Sequence, residues 1–238
     1  ELDDVLLDIR FNRAEIGVVV VKTKGDVDRV LAADRALFAN KDDWFVSEVL
    51  HHMRRVLKRM DLPARSFIAV IDPGSRFAGS LFELALASDR AYMLSGGDDG
   101  PVVAFSELNA GALPMSNGLS RLDTRFQGIE TPEPIPGQRF GADEALDQGL
   151  VTFAPDEIDW EDEVRLAIEE RASLSPDALT GMEASLRFAG PETMETKIFG
   201  RLSAWQNWIF QRPNAVGERG ALKVYGSGSK AQFDWERV

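Results

Sequence analysis

Two glutamates have the sequence surroundings expected of groups that exchange protons with a substrate. Glu83 lies in the run FELAL, one turn into a predicted helix, where apolar neighbours should raise the pKa of its carboxyl group. A carboxyl group with a raised pKa can act as a general acid or base near neutral pH. Glu107 lies in AFSELNAG, where a predicted strand passes into a loop. The alternative for Glu83 is a structural role, capped by backbone groups or paired with Arg90, because ion-paired carboxylates are also common.

The segment before Glu83 predicts a site for negative charge. Residues 67–89, FIAVIDPGSRFAGSLFELALASD, have the pattern of a buried strand, a tight Pro-Gly loop and a helix entered through small residues. A helix that begins just after such a loop directs unpaired N–H groups and the positive end of its dipole at one point. An oxygen that gains negative charge during a reaction would be stabilised there.

The composition excludes several other chemistries. The chain of 238 residues has no cysteine, which excludes disulfides, thiolate nucleophiles and thiolate metal sites. Its net charge of −12 disfavours nucleic acid and anionic membrane surfaces as partners, because either would be repelled. Neither a signal sequence nor a long apolar run is evident, so we expect a cytoplasmic protein.

Metal chemistry and a serine triad are not predicted either. The two histidines, His51 and His52, are adjacent on a predicted helix and point in different directions, so they cannot share a ligand. With no histidine elsewhere, a Ser-His-acid triad is not expected. The run GGDDG at 96–100 predicts a turn between strands, and its two acids lack the spaced oxygens of a calcium loop.

The order of predicted elements favours an α/β sheet with crossover helices. A helical stripe opens the chain, and the β-branched run IGVVVVK at 16–22 predicts a strand covered on both faces. Residues 26–39 and 43–60 predict helices, the second strongly amphipathic, before the strand and helix of residues 67–89. The series helix, strand, helix, helix, strand, helix, strand is typical of α/β architecture. Because the chain enters this first helix directly at Glu1 without a methionine, we expect it to be a piece of a longer polypeptide.

A second composition begins at the proline-rich loop TPEPIPG near Thr131. Short helices are predicted around 142–148 and 161–172, and Ser175-Pro176 predicts the start of another. The predicted helix over 192–211 is apolar on nearly all sides, so we expect it to dock on another domain or subunit. An ordinary core helix of this domain is the alternative. We therefore divide the chain into an α/β core, 1–151, and a helical and tail module, 152–238, for packing between domains or subunits.

The sequence resembles the crotonase, or enoyl-CoA hydratase/isomerase, family. IAVIDPGSRFAGSLFELALASDRAYML is similar to the family segment with an apolar strand, a glycine-rich stretch and Glu-Leu-Ala, and AFSELNAGALPMSNGLSRL resembles the segment that follows it. FGADEALDQGLV is similar to a third family pattern, so the resemblance extends from Val18 to Val151. The section from SPDALTGM to ALKVYG resembles the end of the ring-opening lyases of aerobic benzoyl-CoA breakdown, which carry two crotonase-like halves in one polypeptide. This chain resembles the second half.

The resemblance implies an α/β fold of the ClpP/crotonase kind, a β-β-α spiral core with a C-terminal helical module. It implies that two main-chain N–H groups hold the carbonyl oxygen of an acyl-CoA thioester. By position, one donor is that of Ser80, beside Gly79, and the other comes from the Ala32 to Ala33 region. Glu83 and Glu107 take the places of the family's acid/base carboxylates.

For the lyases, the implied reaction is hydrolytic cleavage of a carbon–carbon bond in 2,3-epoxy-2,3-dihydrobenzoyl-CoA, giving a semialdehyde acyl-CoA and formate. The implied partners are the acyl-CoA substrate, the N-terminal crotonase-like half of the same polypeptide and further copies in a homo-oligomer. Neither a metal nor a redox cofactor is implied, since the substrate itself is the CoA thioester. A stand-alone enoyl-CoA hydratase/isomerase, with an oxyanion hole and glutamate acid/base groups, is the alternative.

The sequence departs from the family pattern at the predicted oxyanion hole. Leu81 and Phe82 stand where the family has small residues, and they could narrow the approach of a pantetheine arm to the backbone. VLAADRAL has the pattern of a plain helix where the family has a Gly-Ala-Asp loop, and N–H groups inside a helix are already paired. We therefore expect a non-catalytic copy that supports the catalytic half.

Overall fold

The computed structural model describes residues 1–96, 100–188 and 190–237, so part of the turn predicted at 96–100 lies outside the described residues. The strands are β1 (Val18–Val21), β2 (Ser66–Ile71), β3 (Phe77–Ala78), β4 (Arg90–Met93), β5 (Val103–Ala104) and β6 (Arg139–Phe140). The helices before residue 150 are α1 (Leu2–Asn12), α2 (Val27–Ala39), α3 (Trp44–Met60), α4 (Gly79–Leu86), α5 (Arg121–Arg125) and α6 (Ala142–Asp147). Those after it are α7 (Trp160–Ser173), α8 (Pro176–Arg187), α9 (Ser203–Ile209), α10 (Pro213–Val216) and α11 (Ala221–Val224).

The strands form two small sheets that the chain visits in turn. Strands β1, β2 and β4 make a parallel sheet with β2 in the centre. In the second sheet β5 lies between β3, to which it is parallel, and β6, to which it is antiparallel. The chain therefore passes through one strand of each sheet and then a helix, first as β2-β3-α4 and then as β4-β5-α5.

The core lies where helix α4 packs between the sheets. All six residues of β2 are buried, as expected for a central parallel strand covered on both faces. Phe82 on α4 contacts Phe105, just after β5, with ring centroids 5.8 Å apart. This packing fixes the direction of α4, and with it the position of the main-chain groups at its start.

The long helices begin and end close to where the sequence predicts them. Asp26 and Asp43 cap α2 and α3, since each side chain accepts hydrogen bonds from the main-chain N–H groups of the first turn. The predicted order of the first seven elements is confirmed, with one omission. The two-residue strand β3 lies between the Pro-Gly loop and α4, and it is too short to leave a periodic signal.

The C-terminal part of the chain packs on the first sheet, but one of its predicted helices differs from the structure. Ala167 of α7 packs against β2, and the Arg187 guanidinium of α8 contacts the carboxylate of Asp89 at 2.7 Å. The prediction of one regular helix over 192–211 is wrong. Helical structure begins at Met194, passes through a π-helical segment, Thr196–Leu202, and continues as α9. In the part of the chain that the structure describes, no helix is both long and apolar enough to cross a membrane.

Candidate functional site

The main-chain N–H at the start of α4 points at a carboxylate of the chain itself. The N–H of Ser80 donates to Oδ2 of Asp34 over 2.6 Å, and the Ser80 hydroxyl donates to Oδ1 over 2.7 Å. The Ser106 hydroxyl also donates to Oδ2, over 2.8 Å. The Asp34 residue is only 1% exposed. One buried carboxylate thus occupies the point at which the sequence predicts stabilisation of a substrate oxygen.

Gly79 makes this contact possible. Its φ is +49°, in the left-handed region that favours glycine. A Cβ added at Gly79 would lie 2.0 Å from Oδ2 of Asp34 and 2.7 Å from the Ser106 hydroxyl oxygen. Only a residue without a side chain therefore lets Asp34 approach the N–H of Ser80.

Burial raises the pKa of Asp34, and the hydrogen bonds from Ser80 and Ser106 oppose that shift. The negative charge of Glu107 raises the pKa further. Three hydrogen-bond donors therefore favour the carboxylate form of Asp34. Its buried environment disfavours a second negative charge nearby.

Ala33, the other predicted donor, lies in the middle of α2, next to Asp34 in sequence. Main-chain N–H groups at such positions donate to carbonyls within the helix. The structure therefore brings the 32–33 region close to Ser80 through Asp34, but it presents the Asp34 side chain there and not a free main-chain N–H.

Glu83 is buried on the next turn of α4 and is held on both oxygens. Its Oε1 accepts a hydrogen bond from the Asn109 side chain over 2.8 Å, and its Oε2 lies 3.3 Å from Nη1 of Arg121. Arg121 also contacts Asp61, with Nη2 to Oδ2 at 2.7 Å. Burial raises the pKa of Glu83 although Arg121 and Asn109 lower it, which agrees with the predicted direction. The alternative partner Arg90 is wrong, because the cation that pairs with Glu83 is Arg121.

Glu107 lies in a different environment, at the start of a 3-10 turn, Glu107–Asn109. Its Oε1 is 3.5 Å from Nε of Arg35, and its side chain is 21% exposed. Ser106 caps this turn, so the residue next to Glu107 also holds Asp34. The two predicted acid/base carboxylates therefore have separate cationic partners, one buried and one near the surface.

Of the two side chains predicted to narrow the approach of a pantetheine arm, Phe82 does not, because its ring is completely buried in the core against Phe105. Leu81 is half-buried, and the prediction for it stays a prediction. The group that fills the predicted oxyanion position is Asp34, which no motif in the sequence indicates as a site residue. Its signal was present, because Val27, Leu31 and Asp34 follow helical spacing and form the buried face of α2. An acid on the buried face of a helix needs donors from another element.

Among curated proteins, the chain is 56% identical over 242 residues to the benzoyl-CoA-dihydrodiol lyase of Aromatoleum evansii. The match covers the whole chain and 44% of that lyase, so the chain spans less than half the length of this relative. No protein-family model matches the chain.

Among solved structures, the chain is similar to enoyl-CoA hydratases. It is 18% identical to one from Geobacillus kaustophilus HTA426, with a TM-score of 0.73 over 98% of this chain and 85% of that one. An enoyl-CoA hydratase/isomerase from Cupriavidus metallidurans CH34 is 21% identical, with a TM-score of 0.70 over 96% of this chain and 82% of that one. The chain therefore has the crotonase fold, and the predicted β-β-α spiral is confirmed.

Proposed function

We propose that this chain is the C-terminal, crotonase-like half of a lyase that opens the ring of 2,3-epoxy-2,3-dihydrobenzoyl-CoA. The reaction is hydrolytic cleavage of a carbon–carbon bond, and its products are a semialdehyde acyl-CoA and formate. Identity of 56% along the whole chain to a benzoyl-CoA-dihydrodiol lyase supports this assignment. The share of that lyase outside the match leaves room for a second half of similar size.

Within that lyase, this half supports the catalytic half and does not itself bind the thioester. The observation that carries this inference is the carboxylate of Asp34, which accepts the N–H of Ser80 over 2.6 Å. A thioester oxygen that gains negative charge would meet a carboxylate at that point, where it needs a donor. Loss of one oxyanion-hole donor typically costs about 3 to 4 kcal/mol of transition-state stabilisation.

The two glutamates fit a structural role in the same way. Glu83 is committed to Arg121 and Asn109, and Glu107 is paired with Arg35. A general acid or base must reach the proton that it transfers, and Glu83 is only 3% exposed. We therefore assign Glu83 to the folding of this half.

Calorimetric titration of the chain with benzoyl-CoA tests the supporting role. We expect no saturable heat of binding. In the full-length lyase, Glu83→Gln and Glu107→Gln should each leave kcat unchanged, whereas loss of this half should abolish the folded assembly. Saturable binding by the chain, together with a fall in kcat for either variant, would instead favour a stand-alone hydratase/isomerase site. The lyase assignment is tested separately, by an assay of the full-length protein for ring opening. The result of that assay does not depend on how the two variants behave.

The partner of this half is the N-terminal half of the same polypeptide, within a homo-oligomer. Support comes from the apolar side chains that the helical segment 194–210 leaves exposed, such as Phe199, which is 70% exposed, and Leu202, which is 60% exposed. Several large apolar side chains exposed on one helical segment are typical of protein–protein interfaces. We name these exposed side chains of 194–210 the apolar face: Met194, Ile198, Phe199, Leu202 and Phe210.

A further inference from the structure

A cavity of about 260 Å³ lies beneath α8, away from the contact between Asp34 and Ser80. Its walls come from the ends of α3 and α4 and from α5, α7 and α8. Four guanidinium groups line it: Arg121, Arg125, Arg171 and Arg187. Three carboxyl groups also line it: Asp61, Asp89 and Glu183. We call it the arginine cavity.

Two of the four guanidiniums are already neutralised at short distance. Arg121 contacts Asp61 at 2.7 Å, and Arg187 contacts Asp89 at 2.7 Å. Glu183 lies farther from its cations, at 3.7 Å from Arg187. The two short ion pairs therefore neutralise Arg121 and Arg187. The other two guanidiniums, Arg125 and Arg171, have no carboxylate at so short a distance among the described residues.

Arg125 is a partly buried cation without an ion-pair partner among the described residues. Its Nε donates to the carbonyl of Gly149 over 2.6 Å, and no other hydrogen bond of its side chain is made within the described part of the chain. Burial lowers the pKa of Arg125, and no neighbouring carboxylate offsets that shift. A partly buried cation without a counter-charge is less stable than a fully hydrated one, so Arg125 favours an anion beside it.

Arg171 faces the same cavity with weak partners only. Its Nη1 lies 3.8 Å from Oε1 of Glu183 and 3.9 Å from Sδ of Met182, both long contacts for a buried guanidinium. The hydroxyl of Thr124, beside Arg125 in sequence, is buried and makes no hydrogen bond to the described residues. Two guanidiniums and one hydroxyl thus have unused donors around one space.

We propose that the arginine cavity binds a small monoanionic carboxylate between Arg125 and Arg171. The planar fork of a guanidinium matches the two oxygens of a carboxylate, and two such forks can hold one anion. A dianion such as phosphate fits less well, because the carboxylate of Asp89 lines the same space and repels a second negative charge. The space, about 260 Å³, is large enough for a small carboxylate such as acetate.

Thermal denaturation of the chain in sodium acetate tests this site, with chloride exchanged for acetate so that the ionic strength stays constant. A ligand that binds only the folded state raises Tm progressively with its concentration. We expect a saturable rise with acetate, a smaller rise with phosphate, and at least a tenfold weaker acetate affinity in Arg125→Gln. Arg125→Lys keeps the charge without the fork, and should lie between the two.

The matched control is Arg165→Gln, because Arg165 lies on the same helix as Arg171 but is exposed and paired with Asp162. This control should bind acetate like the unmodified chain. The proposal is overturned by equal Tm shifts in acetate and chloride, by phosphate binding more tightly than acetate, or by acetate affinity that survives Arg125→Lys undiminished. It is also overturned if Arg165→Gln weakens binding as much as Arg125→Gln does.

Discussion

The N–H of Ser80 and the carboxylate of Asp34 are joined by a 2.6 Å hydrogen bond between α4 and α2. The contact closes the start of α4 with a group from the chain itself, and it links two residues that are 46 positions apart in the sequence. Because Asp34 approaches through the space where Gly79 has no side chain, the two residues should depend on each other for stability.

Replacement of Gly79 by alanine should therefore be unusually costly. The positive φ alone costs an alanine about 1 to 2 kcal/mol. Displacement of Asp34 adds the loss of its hydrogen bonds and leaves buried donors unpaired, about 1 to 3 kcal/mol more. Urea denaturation of Gly79→Ala measures the total as a lower free energy of unfolding.

Gly111→Ala is the control for Gly79→Ala. Gly111 has a φ of +86°, and no atom lies within 4 Å of an added Cβ, so only the backbone strain applies there. Equal losses of unfolding free energy in Gly79→Ala and Gly111→Ala would show that the displacement of Asp34 adds no cost. In the double variant with Asp34→Gly, the extra cost of Gly79→Ala should fall towards that of Gly111→Ala.

Arg121→Met should destabilise the chain strongly, because Arg121 is the cation between two buried carboxylates. Asp61 lies 2.7 Å from one of its terminal nitrogens, and Glu83 lies 3.3 Å from the other. Removal of one partner from a buried ion pair typically costs about 3 to 5 kcal/mol. Arg165→Met, on an exposed surface, should change the free energy of unfolding by no more than about 0.5 kcal/mol. If adding Glu83→Gln restores part of the unfolding free energy lost in Arg121→Met, then Glu83 is energetically coupled to Arg121. Additive effects of the two substitutions would show that it is not.

Local patterns in the sequence predicted the scaffold of the site well. The apolar run of β2 and the small residues before α4 predicted both elements, and the apolar neighbours of Glu83 predicted its burial and the direction of its pKa shift. The partners of these groups come from distant parts of the chain. Arg121 is 38 positions from Glu83, and periodicity carries no information about such pairs.

The strand β3 and the π-helical segment escaped prediction for different reasons. β3 has two residues, paired with β5, so it has too few positions to show alternation. The π-helical segment changes the spacing of residues that face one side, so the 3.6-residue stripe predicted over 192–211 does not describe it. Asp34 was missed because a lone acid inside a helix usually faces solvent.

Glu183 should make the stability of the chain fall as pH rises towards neutral. Burial and the neighbouring Asp89 raise its pKa from 4.5 to about 7, against the pull of Arg187. Arg171 and the Ser66 hydroxyl face it from α7 and β2. A carboxyl group with a raised folded-state pKa contributes stability that is fully present below its unfolded pKa and is lost as pH rises through the folded value. The effect is roughly 2 to 4 kcal/mol between these limits.

Urea denaturation across this pH window measures the effect, and Glu183→Gln is the matched variant. Gln stays neutral, so Glu183→Gln should resemble the unmodified chain at acid pH and exceed its stability above pH 7. Asp89 acts in the opposite sense at the acid end, because Arg187 lowers its pKa below 3.8 and its contribution is lost as pH falls. A variant with the same pH slope as the unmodified chain would rule out Glu183 as the titrating group.

Charges placed on the apolar face should break association without unfolding the chain. Phe199 and Leu202 are 70% and 60% exposed, so Phe199→Asp and Leu202→Asp remove little contact within this half. An aspartate buried against a partner loses its hydration without gaining a counter-charge, and such a substitution typically weakens binding by several kcal/mol. Gel filtration of the full-length protein should then show either dissociation of the oligomer or an expanded polypeptide whose two halves no longer pack together, with the urea midpoint of this chain unchanged. Ile158→Asp is the control, because Ile158 is 88% exposed but lies outside the apolar face. If Phe199→Asp and Leu202→Asp leave association as intact as Ile158→Asp does, the interface lies elsewhere. A loss of association in the first two variants alone would identify 194–210 as the segment that contacts the partner.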